Sequence, residues 1–220
     1  MIPPVQHITK TIPDLIDSGK SFGKKVCIVA PGPNGADHYH RIPEDFSIVA
    51  VNKAVLIENL KPDWWVLAHN DTYWFPEADE YFTGNRVYRD VLVPEITKTA
   101  FTRSPERIYQ FETAEDSLQP DKVLPLKGFI RKGASVSSLS VQLAYNLGAT
   151  EILLCGVDMS GNKYWDNSEN KDPSVLHLHG TTWHSVSRFN PLLDHMRNEL
   201  GVTISTLSKT QLNVPLYERS

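Results

Sequence analysis

His177, His179 and His184 lie within eight residues of one another, and Arg188 follows. Together they group three of the chain's eight histidines with a guanidinium. Imidazole titrates near neutral pH, so the patch suits proton transfer. Three close histidines also suit zinc, but no His-Glu-x-x-His helix and no nearby cysteine accompany them. A general base is therefore the favoured reading and a metal site is not. His184 is the chosen base because it lies just before a helix expected from Phe189. Arg188, one helical turn further on, would meet an anion. The competing reading is a set of surface-loop histidines.

Two carboxylates and two amides stand at the ends of apolar runs. Asp158 closes Ile152-Leu-Leu-Cys-Gly-Val-Asp, and Asp71 follows Asp63-Trp-Trp-Val-Leu-Ala-His-Asn. If their strands are neighbours, the pair would hold Mg²⁺; otherwise Asp158 orients a loop. Asn52 and Asn70 each donate and accept, which suits a base, a ribose or a sugar hydroxyl. Turn and helix-cap roles compete with that reading. The loop Ala30-Pro-Gly32-Pro33-Asn34 follows the first strand, and its backbone N–H groups would approach a phosphate. It lacks the three spaced glycines of a dinucleotide fingerprint and the Gly-Lys-Ser/Thr of a Walker loop.

These residues need a sheet to bring them together. Lys24-Lys-Val-Cys-Ile-Val-Ala30, Phe46-Ser-Ile-Val-Ala-Val51, Asp63-Trp-Trp-Val-Leu-Ala68 and Ile152-Leu-Leu-Cys155 read as strands, with further strands at 86–93, 107–111 and 202–207. Leu139, Leu143 and Leu147, with Val136 one turn earlier, predict a helix with one apolar face, and Gly148 supplies its C-cap. Helices are also expected over 12–16, 53–59 and 189–200. Residues 72–85 show no clear period, and 112–132 read as loop. Alternating strands and helices predict an α/β fold: a Rossmann-like, mostly parallel, doubly wound sheet with an irregular lid-like insertion. The polar residues after four strands then share the carboxyl edge, where such sheets bind ligands. The whole chain reads as one domain, with 1–23 as an adaptor segment and 160–184 as the lid.

Composition excludes several classes. The 220 residues are 40% hydrophobic and carry 22 basic against 26 acidic side chains, for a net charge of −4. No basic face suits nucleic acid, and no apolar run approaches a membrane span of about 18 residues. The N-terminus lacks the basic and apolar regions of a signal peptide. Cys27 and Cys155 fall inside strands, as small buried hydrophobes do in a reducing compartment. A cytoplasmic location is expected, with a place at the inner face of the membrane left open. A homo-oligomer is also left open. Trp64, Trp65, Tyr73 and Trp74 would line a cleft or, more commonly, a core.

The collinear set Lys24-Lys-Val-Cys-Ile-Val-Ala-Pro-Gly-Pro, Arg41-Ile-Pro-Glu-Asp-Phe, Val51-Asn52, Leu-Gly-x-x-Glu-Ile-x-Leu-x-Gly-Val-Asp at 147–158 and His184-Ser185 resembles the bacterial sialyltransferases of the Campylobacter lipooligosaccharide type. The resemblance covers about residues 24–71 and 133–218. It implies a Rossmann-like fold, a CMP-activated sugar as donor, a glycan as acceptor, and no metal or other cofactor. It implies inverting transfer with His184 as the base. Asn52 and Asn70 would be donor contacts, Ser135 and Ser137 would lie in a loop facing the donor, and Tyr164 would steady the leaving phosphate. The chain departs from that family at Pro31, Ser160 and Thr181.

The archaeal 6-hydroxymethylpterin diphosphokinases and their motility-accessory relatives are a second resemblance. It rests on the Gly-Pro loop, Asn52, Asn70-Asp71 and Leu147-Gly-Ala149. It implies Mg-ATP at Asp71 and Asp158 and transfer of a pyrophosphoryl group. A nucleotide- or sugar-binding protein without turnover is the third reading.

Overall fold

The computed structural model describes residues 10–67, 75–89, 108–114, 129–131, 135–159, 163–168 and 181–218. Eight parallel strands form one sheet in the order β6-β5-β4-β3-β2-β1-β7-β8. In chain order they are β1 (Lys25–Val29), β2 (Ser47–Val51), β3 (Trp64–Leu67), β4 (Asn85–Arg89), β5 (Ile108–Ala114), β6 (Phe129–Arg131), β7 (Glu151–Cys155) and β8 (Thr203–Thr206). The helices are α1 (Ile12–Asp17), α2 (Gly35–His38), α3 (Phe75–Tyr81), α4 (Val136–Asn146) and α5 (Thr181–Asn198). The sheet is the Rossmann-like α/β architecture expected from the sequence.

Central strands alternate between two cores. Val26, Ile28, Val49, Val51, Trp64, Val66, Ile152 and Leu154 pack on one face with α1, α4 and α5. Cys27, Val29, Ala50, Trp65, Leu67, Leu153 and Cys155 pack on the other, under Ala54, Val55, Ile57, Leu60, Ala78 and Phe82. Burial on both faces explains why β1 and β7 read as unbroken apolar runs. Trp64 and Trp65 take the core fate. Both cysteines are free and buried. Burial, reinforced by the nearby Asp158, pushes the Cys155 thiol up to about 12, and burial raises that of Cys27 as well.

α4 departs from the one-faced helix expected. Every residue from Val136 to Ala144 is buried, including Ser137, Ser138, Ser140 and Gln142. The polar members turn back onto the helix: Ser140 Oγ donates to Val136 O at 2.9 Å. Its C-terminus is as expected. Gly148, at φ +95°, donates to Tyr145 O, and Ala149 donates to Ala144 O. This is the paired bonding of a glycine-terminated helix.

Several boundaries differ from the sequence reading. Residues 53–59 contain a 3₁₀ helix, Asn52–Leu56, which begins at the strand end itself. α3 occupies part of the stretch without a period, and the end of β5 and all of β6 occupy part of the stretch read as loop. α5 begins at Thr181, eight residues before Phe189, so His184 lies inside it rather than ahead of it. The described part of the adaptor segment, residues 10–23, contributes to the core: Ile12 and Leu15 are fully buried, and Gln110 N on β5 donates to Lys10 O. At the other side of the sheet the C-terminal segment pairs with Thr206, the last residue of β8. Thr206 N donates to Pro215 O, and Tyr217 N donates to Thr206 O. That pairing closes this end of the edge to other strands.

Candidate active site at the switch point of the sheet

Strands β2 to β6 are laid down to one side of β1, and β7 and β8 to the other. The chain reverses direction across the β1–β7 boundary, and the loops leaving those two strands diverge. Ligands bind α/β sheets in the crevice at such a point. Here the two loops are 30–35 and 156–159.

The loops are locked together by backbone. Ala30 N donates to Cys155 O at 2.8 Å and Gly32 N to Gly156 O at 3.0 Å. Asn34 N donates to Asp158 Oδ2 at 2.9 Å. Three glycines allow this approach. A Cβ on Gly32 would lie 2.2 Å from Gly156 O, one on Gly35 2.7 Å from Ala30 O, and one on Gly156 2.4 Å from Ala30 O. Gly156 also stands at φ +68°, which L side chains seldom adopt.

This geometry corrects the expected phosphate cradle. Pro31 and Pro33 have no N–H, and the N–H groups of Gly32, Asn34 and Gly35 all bond within the protein. The loop therefore offers a ligand its side chains, not a nest of amides. Pro33 is exposed and Asn34 is half-buried. Asn34 precedes α2 without capping it through its side chain.

Asp158 is corrected in the same way. It is 3% exposed, and its carboxylate accepts from Asn34 N and from Ser208 Oγ at 3.3 Å. These bonds tie the carboxylate to the 30–35 loop and to Ser208. Nor are the strands of Asp71 and Asp158 neighbours: β2 and β1 lie between β3 and β7. Three strand spacings separate them, about 14 Å. The condition for a shared Mg²⁺ is unmet at the strand ends. Asp71 and Asn70 themselves lie outside the described residues, as do His177 and His179.

Asn52 directly follows β2 and stands in the left-handed region, at φ +48°. Its carbonyl accepts from Trp65 Nε1 at 2.9 Å, so a core tryptophan fixes the turn. A non-glycine residue in this region is uncommon and clusters at ligand sites. Ser135 caps α4. Its hydroxyl accepts from Ser138 N, and Ser138 Oγ accepts from Ser135 N, both at 3.2 Å. Ser137 follows in the first turn and is buried. Because α4 and α5 each lead back to the start of a parallel strand, their N-termini lie towards the carboxyl edge. His184 and Arg188 share one face of α5, four residues apart. Arg188 is exposed; the His184 side chain lies outside the described part.

One residue escaped the sequence reading. Lys53, 7% exposed, pairs with Asp166 at 2.5 Å and donates to Ser168 Oγ at 2.8 Å. It lies over the rings of Tyr164 and Trp165, at 5.2 and 5.3 Å. Trp165 N donates to Pro31 O at 3.2 Å. The 163–168 turn thus closes over the loop and over β2. Partial burial raises the Asp166 carboxyl, but Lys53 and Ser168 outweigh it and hold the group below the ordinary range. Tyr164 is 8% exposed, its ring enclosed in this assembly. No group of His, Cys, Asp and Glu suited to a metal occurs among the described residues.

A family model described as 6-hydroxymethylpterin diphosphokinase MptE-like matches residues 2–164. The chain belongs to this MptE-like family. The matched stretch contains β1 to β7, both loops of the switch point, Asn52 and Asp158. No curated protein matches the chain.

Among solved structures, the sialyltransferase CstII from Campylobacter jejuni with the substrate analogue CMP-3FNeuAc aligns at TM-score 0.50 and 15% identity, over 84% of this chain and 81% of that one. An asparagine-to-alanine variant of CST-II in complex with CMP aligns at 0.53 and 13%, over 88% and 87%. CstII with cytidine-5'-monophosphate aligns at 0.52 and 14%, over 90% and 86%. The MptE-like chain therefore has the fold of these sialyltransferases. No helix among the described residues is long and apolar enough to cross a membrane.

Proposed function

We propose that this MptE-like protein is a transferase that binds a nucleotide-activated sugar in the switch-point crevice and transfers the sugar to a hydroxyl of a glycan acceptor. A CMP-linked donor is the leading candidate. The observation that carries this reading is the crevice itself: two glycine-locked loops beside a left-handed Asn52, on a fold that in CstII accompanies bound CMP.

In this reading Asn34, Asn52 and Asn70 hold the nucleoside by hydrogen bonds, and Pro33 gives it an apolar wall. The loop amides being used internally, the donor phosphate is met at the Ser135 and Ser137 end of α4 and by Tyr164 and Arg188. His184 takes the proton of the acceptor hydroxyl as that oxygen attacks the anomeric carbon. The bond from that carbon to the phosphate oxygen breaks, and the nucleotide leaves with the electron pair. No metal is required for these steps. Holding both substrates in one shielded crevice supplies much of the acceleration.

The second reading is a Mg-ATP-dependent diphosphokinase, which the family description favours. The separation of β3 from β7 and the engagement of Asp158 with the loop count against a metal shared by Asp71 and Asp158. Release of CMP from CMP-sialic acid, with and without a glycan acceptor, tests the proposal against AMP release from Mg-ATP with a 6-hydroxymethylpterin as the pyrophosphoryl acceptor. His184→Ala should abolish sugar transfer and leave CMP binding intact. AMP release that EDTA abolishes, with no CMP release, would favour the diphosphokinase.

A further inference from the structure

The turn at 163–168 is a small closed unit. Tyr164 N donates to Ser168 O at 2.9 Å and Asn167 N to Tyr164 O at 3.0 Å, with Asn167 at φ +60°. Asp166 Oδ1 accepts from both Ser168 N and Ser168 Oγ, at 3.1 and 2.6 Å. Its other oxygen faces Lys53. The turn thus holds its own shape, and its links to the sheet among the described residues include the Lys53 cluster, the bond from Trp165 N to Pro31 O and the packing of Trp165 on the core.

Lys53 is an unexpected residue to bury at that point. Lysine is seldom buried unless paired, because desolvating its ammonium is costly. A hydrophobic side chain would fill the same place against Tyr164 and Trp165. What it would lose is the directional hold on Asp166 and Ser168. Lys53 also directly follows Asn52, whose carbonyl is fixed by Trp65. One side chain thereby joins the end of β2 to a turn that is itself bonded to the loop after β1.

We propose that Lys53 is a positioning residue, which clasps the 163–168 turn onto the ends of β1 and β2 and presets the crevice for the donor. The inference rests on the reading that the crevice binds a nucleotide. Lys53 acts through Asp166, to which its ammonium is committed, and not by touching the donor. The turn is ordered before the ligand arrives, so binding does not bear that entropy.

The test combines two measurements on the full chain: calorimetric affinity for CMP without metal, and hydrogen exchange of residues 163–168. Lys53→Met, Asp166→Asn and the double variant are compared with wild type. Each single change should speed exchange in the turn and weaken CMP by about tenfold, with the double no weaker than the worse single. Asp166 is partly exposed, so Asp166→Asn still gives the answer if Lys53→Met fails to fold. Unchanged CMP affinity with a loosened turn would overturn the proposal. So would a loss confined to Lys53→Met, which would make Lys53 a direct ligand contact. If wild type does not bind CMP and exchange in the turn still rises in Asp166→Asn, the clasp stands and the proposed function falls. If exchange does not rise, the clasp falls whatever CMP does.

Discussion

Asn34 and Asp158 lie 124 positions apart, yet the backbone N–H of the first donates to the carboxylate of the second at 2.9 Å. The contact bridges the two loops that diverge at the switch point. Asp158→Ala removes a buried acceptor and strands both Asn34 N–H and Ser208 Oγ. A loss of about 2–3 kcal/mol in urea unfolding is expected, typical of hydrogen bonds to a charged group. CMP affinity should fall with it, because the loop loses its anchor. A folded Asp158→Ala of unchanged stability would show that the carboxylate is kept for a ligand instead.

The glycines give a controlled comparison. Gly19 and Gly156 both stand at positive φ, +72° and +68°, but a Cβ on Gly19 meets nothing within 4 Å. Gly19→Ala should cost about 1–2 kcal/mol from backbone conformation alone. Gly156→Ala adds a clash with Ala30 O and Gly35, worth a further 1–3 kcal/mol or so. Thermal melts of the two variants check this, and equal losses would mean that the loops are not interlocked.

Asn52 separates strain from recognition. Its left-handed backbone favours glycine, so Asn52→Ala should be about 1 kcal/mol less stable than Asn52→Gly. If the amide contacts the donor, both variants lose CMP affinity alike. Affinity that tracks stability instead would reduce Asn52 to a turn residue.

The Lys53–Asp166 pair sets a pH dependence. Lowered below its ordinary value of 3.8, the Asp166 carboxyl favours the folded turn at every pH above that value. The contribution fades as pH falls through the lowered folded value. A carbon-13 titration of the Asp166 carboxyl should therefore give an apparent pKa below 3.8 in wild type, and Lys53→Met should move it upward. An unmoved titration would mean that the pair is not formed in solution.

How much was legible depended on how local each signal was. β1, β7 and α4 announce themselves through unbroken apolar runs and a terminating glycine, because burial on both sides leaves no polar interruptions. The shared edge of Pro33, Asn34, Asn52 and Asp158 follows from those elements. α3 begins Phe-Pro-Glu and carries three acidic residues in its seven, so no apolar stripe marks it, and β6 has too few residues for a period. α5 begins in the polar, β-branched Thr181-Thr182, which propensity alone would leave as loop. Lys53 carried no signal at all. Its partners are 113 and 115 residues away, and a lone lysine in a short helix reads as solvated. The engagement of the Gly32 and Asn34 amides was hidden for the same reason, since their acceptors belong to the β7 loop.

In the proposed function the switch-point crevice binds a nucleotide without metal. A thermal-shift screen against CMP, CDP, UDP, GDP, ADP and ATP, each with and without Mg²⁺, tests it most directly. A ligand that binds only the folded chain raises its melting temperature, by the equivalent of about 2.7 kcal/mol at one hundred times its Kd. CMP or CDP should stabilise the fold equally with and without Mg²⁺, and the effect should be lost in Asn52→Gly. Stabilisation by ATP alone, and only with Mg²⁺, would contradict the proposed function and make the protein a diphosphokinase.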